Sequence, residues 1–153
     1  LFYFFSYLFM NLGAFAVVYA VQKNEGEGNT LKSYSGLGTK RPVLALAMTV
    51  FMLSLAGFPP TAGFMGKFYI FKNAIDAGYI GLVIIAVLNS VVSAYYYLRV
   101  VVFMYMQDPD NEGTVSSIPL LVSIVILFCI MGVFYLGIFP TRILELTQLS
   151  LHY

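Results

Sequence analysis

Between Gly57 and Lys67 the chain reads Gly-Phe-Pro-Pro-Thr-Ala-Gly-Phe-Met-Gly-Lys, in the middle of a long apolar region. No uninterrupted helix can pass through that stretch. Pro59 and Pro60 supply no N–H groups, their rings clash with the preceding turn, and Phe58 is pushed out of the α region. Gly57, Gly63 and Gly66 let backbone approach neighbours closely or take unusual dihedrals. Length points the same way. A helix over residues 42–77 would reach about 54 Å, against a bilayer hydrocarbon core of about 30 Å. Two physical solutions follow: one interrupted span, or two half-helices folded as a hairpin. In both, unwound backbone at membrane depth must be buried in protein or line a wet cavity.

Composition places the chain in a membrane. Hydrophobic residues make up 60% and charged residues 10%, whereas a soluble domain carries roughly 25% charged residues. The net charge is +1, and no dense basic stripe suggests nucleic acid. Cys129 is the single cysteine, set inside an apolar run. It offers neither a disulfide framework nor a metal-ligand spacing, and reads as a small packing residue. The chain begins at Leu1, within apolar sequence and without the basic start of a signal peptide, so it reads as a piece of a longer polypeptide.

The pattern predicts an all-α membrane protein, a single transmembrane region of about four helices. These cover about 1–22, 42–77 (broken at 58–63), 79–106 and 118–139. In the first, Asn11, Gly13, Ala14 and Ala16 offer small or hydrogen-bonding surface for helix contacts, with Asn11 read as interhelical glue. Residues 23–41 are the substantial polar segment, read as a solvated loop with residues 31–37 near the interface. Lys23, Lys32, Lys40 and Arg41 put it on the cytoplasmic, matrix or stromal side. Pro42 restarts a helix from its first turn. Asp108, Asp110 and Glu112 mark a solvent-exposed loop. Gly132 and Gly137 suit packing in the last span, and Pro140 stops it. Beyond it, Arg142 to Tyr153 reads as an amphipathic interfacial tail, with His152 given no functional role.

Lys67 carries the chemistry. A central lysine costs roughly 2.5–3.5 kcal/mol on translocon scales, and removal from water favours its neutral form. A lysine so placed can exchange a proton where a hydrated one holds it permanently. The competing reading, an amine snorkelling to the interface, suits Lys72 near the Asp76-Ala77-Gly78 turn. It suits Lys67 less well, among Phe64, Phe68 and Phe71. The segment is not a phosphate-binding loop: Thr61 stands where the first glycine should be, and Phe68 where Ser or Thr is needed. In the third span Asn89, Ser93 and Tyr96 share one face, and Ser90, Ser93 and Tyr97 make an overlapping stripe. Such a face can hold waters and hydroxyls in a chain, as a proton path requires; plain helix packing with an aromatic belt is the bland alternative. Arg99, about two turns before the polar loop, is accounted for by snorkelling.

Two long motifs then carry a resemblance. Met52-Leu-Ser-Leu-Ala-Gly-Phe-Pro-Pro-Thr-Ala-Gly-Phe-Met-Gly-Lys-Phe68 and Leu88-Asn-Ser-Val-Val-Ser-Ala-Tyr-Tyr-Tyr-Leu-Arg-Val100 resemble the subunit N family of antiporter-like membrane subunits. These belong to proton-pumping NADH-quinone oxidoreductase, respiratory complex I. Asn11 to Phe15, Tyr34 to Gly38 and Lys40 to Pro42 agree in order. The resemblance covers nearly the whole chain and is to the C-terminal part of such a subunit. It implies a single discontinuous second helix, with the break around Pro59, Pro60 and Gly63 forming part of a proton half-channel. It also makes Lys67 the buried relay near the exit, with Ser90, Ser93, Tyr96 and Tyr97 as candidate lining. Lysine at 67, with the Tyr95-Tyr96-Tyr97-Leu98-Arg99 run, favours subunit N over its paralogue M. The resemblance implies a translocase subunit with no redox catalysis, catalytic residue, metal or cofactor site in this chain. NADH, FMN, iron–sulfur clusters and quinone are expected on other subunits. The expected partners are neighbouring antiporter-like membrane subunits and lipid, in a bacterial plasma membrane, or an organelle inner or thylakoid membrane. A cation/proton antiporter of the Mrp type and a purely structural scaffold are the competing functions.

Overall fold

The structure, a computed structural model, describes residues 2–25, 30–108 and 118–140. The expectations for the rest of the acidic loop and for the tail lie outside the described residues. Among these, every regular element is helical. The order is α1 (Phe2–Glu25), a one-turn 3-10 helix (Leu31–Tyr34), α2 (Leu37–Lys40), α3 (Pro42–Ala56), α4 (Ala62–Asp76), α5 (Ile80–Met106) and α6 (Leu120–Ile138). α1, α5 and α6 are long and apolar enough to cross a membrane, and α3 is a shorter apolar helix. The protein is an all-α membrane protein of about four spans.

The contacts along α1 decide between the two solutions for the break. At its start, Phe2 meets Tyr69 of α4 edge-on, with ring centroids 6.0 Å apart, and Tyr3 packs against Gly66. Further along, Met10 lies at Gly63 and Gly13 faces the ring of Phe51 in α3. Residue numbers rising along α1 thus meet numbers falling along α4 and then α3. A hairpin would bring α4 back to the level of α3. The two are instead one interrupted span, antiparallel to α1, and this bears out the discontinuous second helix.

Close approach, not bulk, holds the bundle together. Between helices in lipid there is no hydrophobic driving force, so van der Waals fit decides. Gly132 of α6 admits the ring of Phe9, which also meets Phe128 at 5.6 Å between centroids. Gly137, one helical turn and more beyond it, lets α6 press on the backbone of Pro60 and Thr61. Cys129 and Val133 are fully buried on that face of α6, as the packing reading of the cysteine requires.

Residues 30–41 depart from the solvated loop expected of them. Tyr34, Ser35 and Leu37 are buried, Ser35 Oγ donates to Gln107 Oε1 at 3.3 Å, and Gly38 lies against Tyr105 and the carbonyl of Met104. The segment is a packed cap over the end of α5. Tyr34 and Leu37 supply apolar anchors that the polar count alone concealed.

Two glycines end helices by the same device. Gly57 (φ +92°) and Gly78 (φ +84°) take the left-handed conformation. Gly57 N donates to Ser54 O and Phe58 N to Leu53 O; Gly78 N donates to Ile75 O and Tyr79 N to Ala74 O. Both are Schellman ends. At Gly78 a side chain would have open space around it, so only the backbone penalty acts. Gly78→Val is therefore expected to cost about 1–2 kcal/mol, read as a lower melting midpoint of the purified complex. An unchanged midpoint would mean that the turn reshapes freely.

Candidate functional site

The site is built at the interruption. α3 stops at Ala56, α4 resumes at Ala62, and the five residues between them turn the chain. The Pro59-Pro60 bond is cis. Thr61 is buried and its hydroxyl donates to Phe58 O at 2.6 Å, which closes the turn. α4 is then drawn against α3: Gly63 N donates to the fully buried Ser54 Oγ at 3.3 Å, and Gly63 itself sits against the Ser54 carbonyl. Any side chain at 63 would collide with that carbonyl.

This arrangement aims Lys67 back across the break. Its ammonium donates to the carbonyl of Leu55 at 3.0 Å and to that of Ala56 at 3.1 Å. These are the last carbonyls of α3, where the helix dipole places partial negative charge. Lys67 is half-buried and its amine is turned onto a helix end, whereas Lys72 is exposed.

Beside Lys67 lies a cavity of about 190 Å³, enough for several waters. Leu55, Gly63 and Lys67 line it from the interrupted helix, and Asn89, Ser90, Ser93 and Tyr97 from α5. Tyr3, Tyr7 and Met10 of α1 complete it. Lys67, Gly63, Ser90, Ser93 and Tyr97 are thus brought together around one space. Tyr96 is not among the lining: it points outward, edge-on to Tyr95 at 5.5 Å between ring centroids. Pro59 and Pro60 shape the turn without lining the cavity and are exposed. Ser93 Oγ donates to Asn89 O at 2.9 Å within its own helix, leaving the hydroxyl oxygen able to accept from the cavity.

Sequence reasoning missed the contribution of α1. Tyr3, Tyr7 and Met10 stand at i, i+4 and i+7, one face of a helix, but their identity as ordinary apolar and aromatic residues gave no reason to prefer that face. Asn11 drew the attention instead. Its Nδ2 donates to Tyr7 O at 2.8 Å, within α1. Arg99, exposed on α5, lies over the ring of Phe103, one turn on, at 5.7 Å, and is not among the residues that line this cavity.

Fold and site together define a class: a membrane-embedded helical bundle whose interrupted helix presents a lysine to a polar cavity between three spans. Comparison with known proteins gives that class its family. The family described as "NADH:quinone oxidoreductase/Mrp antiporter, TM" matches residues 1–93. The chain belongs to this family of membrane subunits. It is 53% identical over 148 residues to NADH-quinone oxidoreductase subunit N of Trichlorobacter lovleyi, covering 97% of this chain and 30% of that protein. It is 41% identical over 152 residues to F(420)H(2) dehydrogenase subunit N of Methanosarcina mazei, covering 94% of this chain and 31% of that protein. A chain in the structure of respiratory complex I from Thermus thermophilus with bound aureothin superposes with a TM-score of 0.78 at 32% identity. That match covers 94% of this chain and 33% of the other. The chain therefore spans about a third of the length of the proteins it matches.

Proposed function

We propose that this chain contributes one proton half-channel to the membrane part of an NADH-quinone oxidoreductase, with Lys67 as its relay. The observation that supports this most is the placement of the ammonium. It is half-buried, held by two helix-end carbonyls, and beside a cavity lined by hydroxyls and an amide. Carbonyls and the negative end of α3 stabilise the charged form, and desolvation opposes it. A residue balanced between those effects can gain and lose a proton when a nearby charge changes. Ser90, Ser93, Tyr97, Tyr3 and Tyr7 can pass protons to it through water, since each hydroxyl both donates and accepts. Release toward the outer face follows when a charge in a neighbouring antiporter-like subunit changes.

NADH, FMN, iron–sulfur and quinone chemistry then belongs to other subunits, and the plasma membrane of a bacterium is the site of action. A relative that is subunit N of an F(420)H(2) dehydrogenase fits a membrane part that works with more than one electron donor. The Mrp-type antiporter is the second reading, because the matched family includes those proteins by its own description. Sodium-dependent proton exchange by the isolated subunit in vesicles would favour it.

The test of the first reading is Lys67→Ala in the intact complex. Electron transfer from donor to quinone is expected to persist with fewer protons moved per electron. A variant that pumps with unchanged stoichiometry removes Lys67 from the path.

A further inference from the structure

The hydrogen bonds at the end of α3 can be accounted for carbonyl by carbonyl. Leu53 O receives the N–H groups of Gly57 and Phe58, and Ser54 O that of Gly57. The next two carbonyls in order are those of Leu55 and Ala56. In a continuing helix they would accept from the N–H groups four residues on, which are residues 59 and 60. Both positions are proline and have no N–H to give. The Lys67 ammonium occupies both acceptors, at 3.0 and 3.1 Å.

We propose that Pro59 and Pro60 are positioning residues for Lys67: by withholding two backbone donors they reserve the Leu55 and Ala56 carbonyls for its ammonium. The proposal rests on Lys67 being the relay. Two carbonyls without donors at membrane depth are costly, so the vacancy made by the prolines fixes where the amine sits. The match is one of register as well as number. Two missing donors face one group that carries three. A single proline would leave one of these carbonyls within reach of a backbone N–H, and the amine would compete for it. Gly57 cooperates, since its left-handed conformation already turns the chain away from the helix axis.

The experiment is a set of variants in the complete complex, each read by melting midpoint, electron transfer and protons pumped per electron. Lys67→Met leaves both carbonyls without a donor, and its midpoint is expected to fall. Adding Pro59→Ala and Pro60→Ala restores two N–H groups able to compete for these carbonyls, and is expected to recover the midpoint without recovering pumping. A general role for the prolines in shaping the turn predicts the opposite, a further drop. With Lys67 intact, the Pro59→Ala/Pro60→Ala pair is expected to lower protons pumped per electron, and each single substitution to lower it less. If the pair does not assemble, Pro60→Ala alone tests the claim on the Ala56 carbonyl. The inference is overturned if the triple variant melts no higher than Lys67→Met, or if the proline variants pump with unchanged stoichiometry. Should Lys67→Met itself pump normally, the relay reading fails, while the midpoint of the triple variant still decides whether prolines and lysine share these carbonyls.

Discussion

Gly63→Val is expected to prevent the subunit from being retained in its complex. A Cβ at this position would overlap the carbonyl of Ser54, which is backbone and cannot rotate away as a side chain would. Relief requires α4 to move off α3. That movement breaks the bond from Gly63 N to Ser54 Oγ and draws Lys67 from its two carbonyls. Overpacking of a tight core costs about 1–3 kcal/mol and sometimes more. Carbonyls left without a protein donor add about 1–3 kcal/mol each. The sum, about 3–9 kcal/mol, reaches the lower part of the stability of an ordinary domain, about 5–15 kcal/mol. Loss of the subunit from the purified complex is the measurement. Wild-type retention would mean that α3 and α4 can separate without consequence.

Lys67→Arg has a different expected signature: assembly is retained and pumping is lost. A guanidinium keeps the positive charge and has donors enough for both carbonyls, so the end of α3 remains satisfied. It holds its proton about 2–3 pKa units more firmly than an amine does in water, which slows release about a hundredfold to a thousandfold. Protons moved per electron should fall while donor oxidation continues in uncoupled membranes. The melting midpoint should stay nearer the wild type than that of Lys67→Ala, which loses the donors altogether. If arginine pumps as well as lysine, the group at 67 acts by its charge and not by exchanging a proton.

Much of this could be read in the chain. The apolar lengths set the spans, because a helix must cover the hydrocarbon core and satisfy its own backbone. Pro59 and Pro60 marked the interruption, since what they lack is local and independent of context. The stripe of Asn89, Ser90, Ser93 and Tyr97 was legible as helical spacing. Other features were not. Tyr34 and Leu37 sit in a segment that looks like loop, yet they are buried, and their neighbours Ser35 and Gly38 meet the end of α5. Tyr3, Tyr7 and Met10 looked like any membrane-facing residues until α1 was seen to run antiparallel to the interrupted helix.

The sequence by itself determined that the second span must break and that a lysine lies one turn or more past the break. Both follow from covalent facts, the missing N–H of proline and the charge of an amine. Only the tertiary structure decided that the two halves form one interrupted span and not a hairpin, and where the amine points. Those depend on which helix lies beside which. Gly63, Gly66 and Gly137 let neighbours approach from three sides, and that packing turns Lys67 back onto the carbonyls of Leu55 and Ala56.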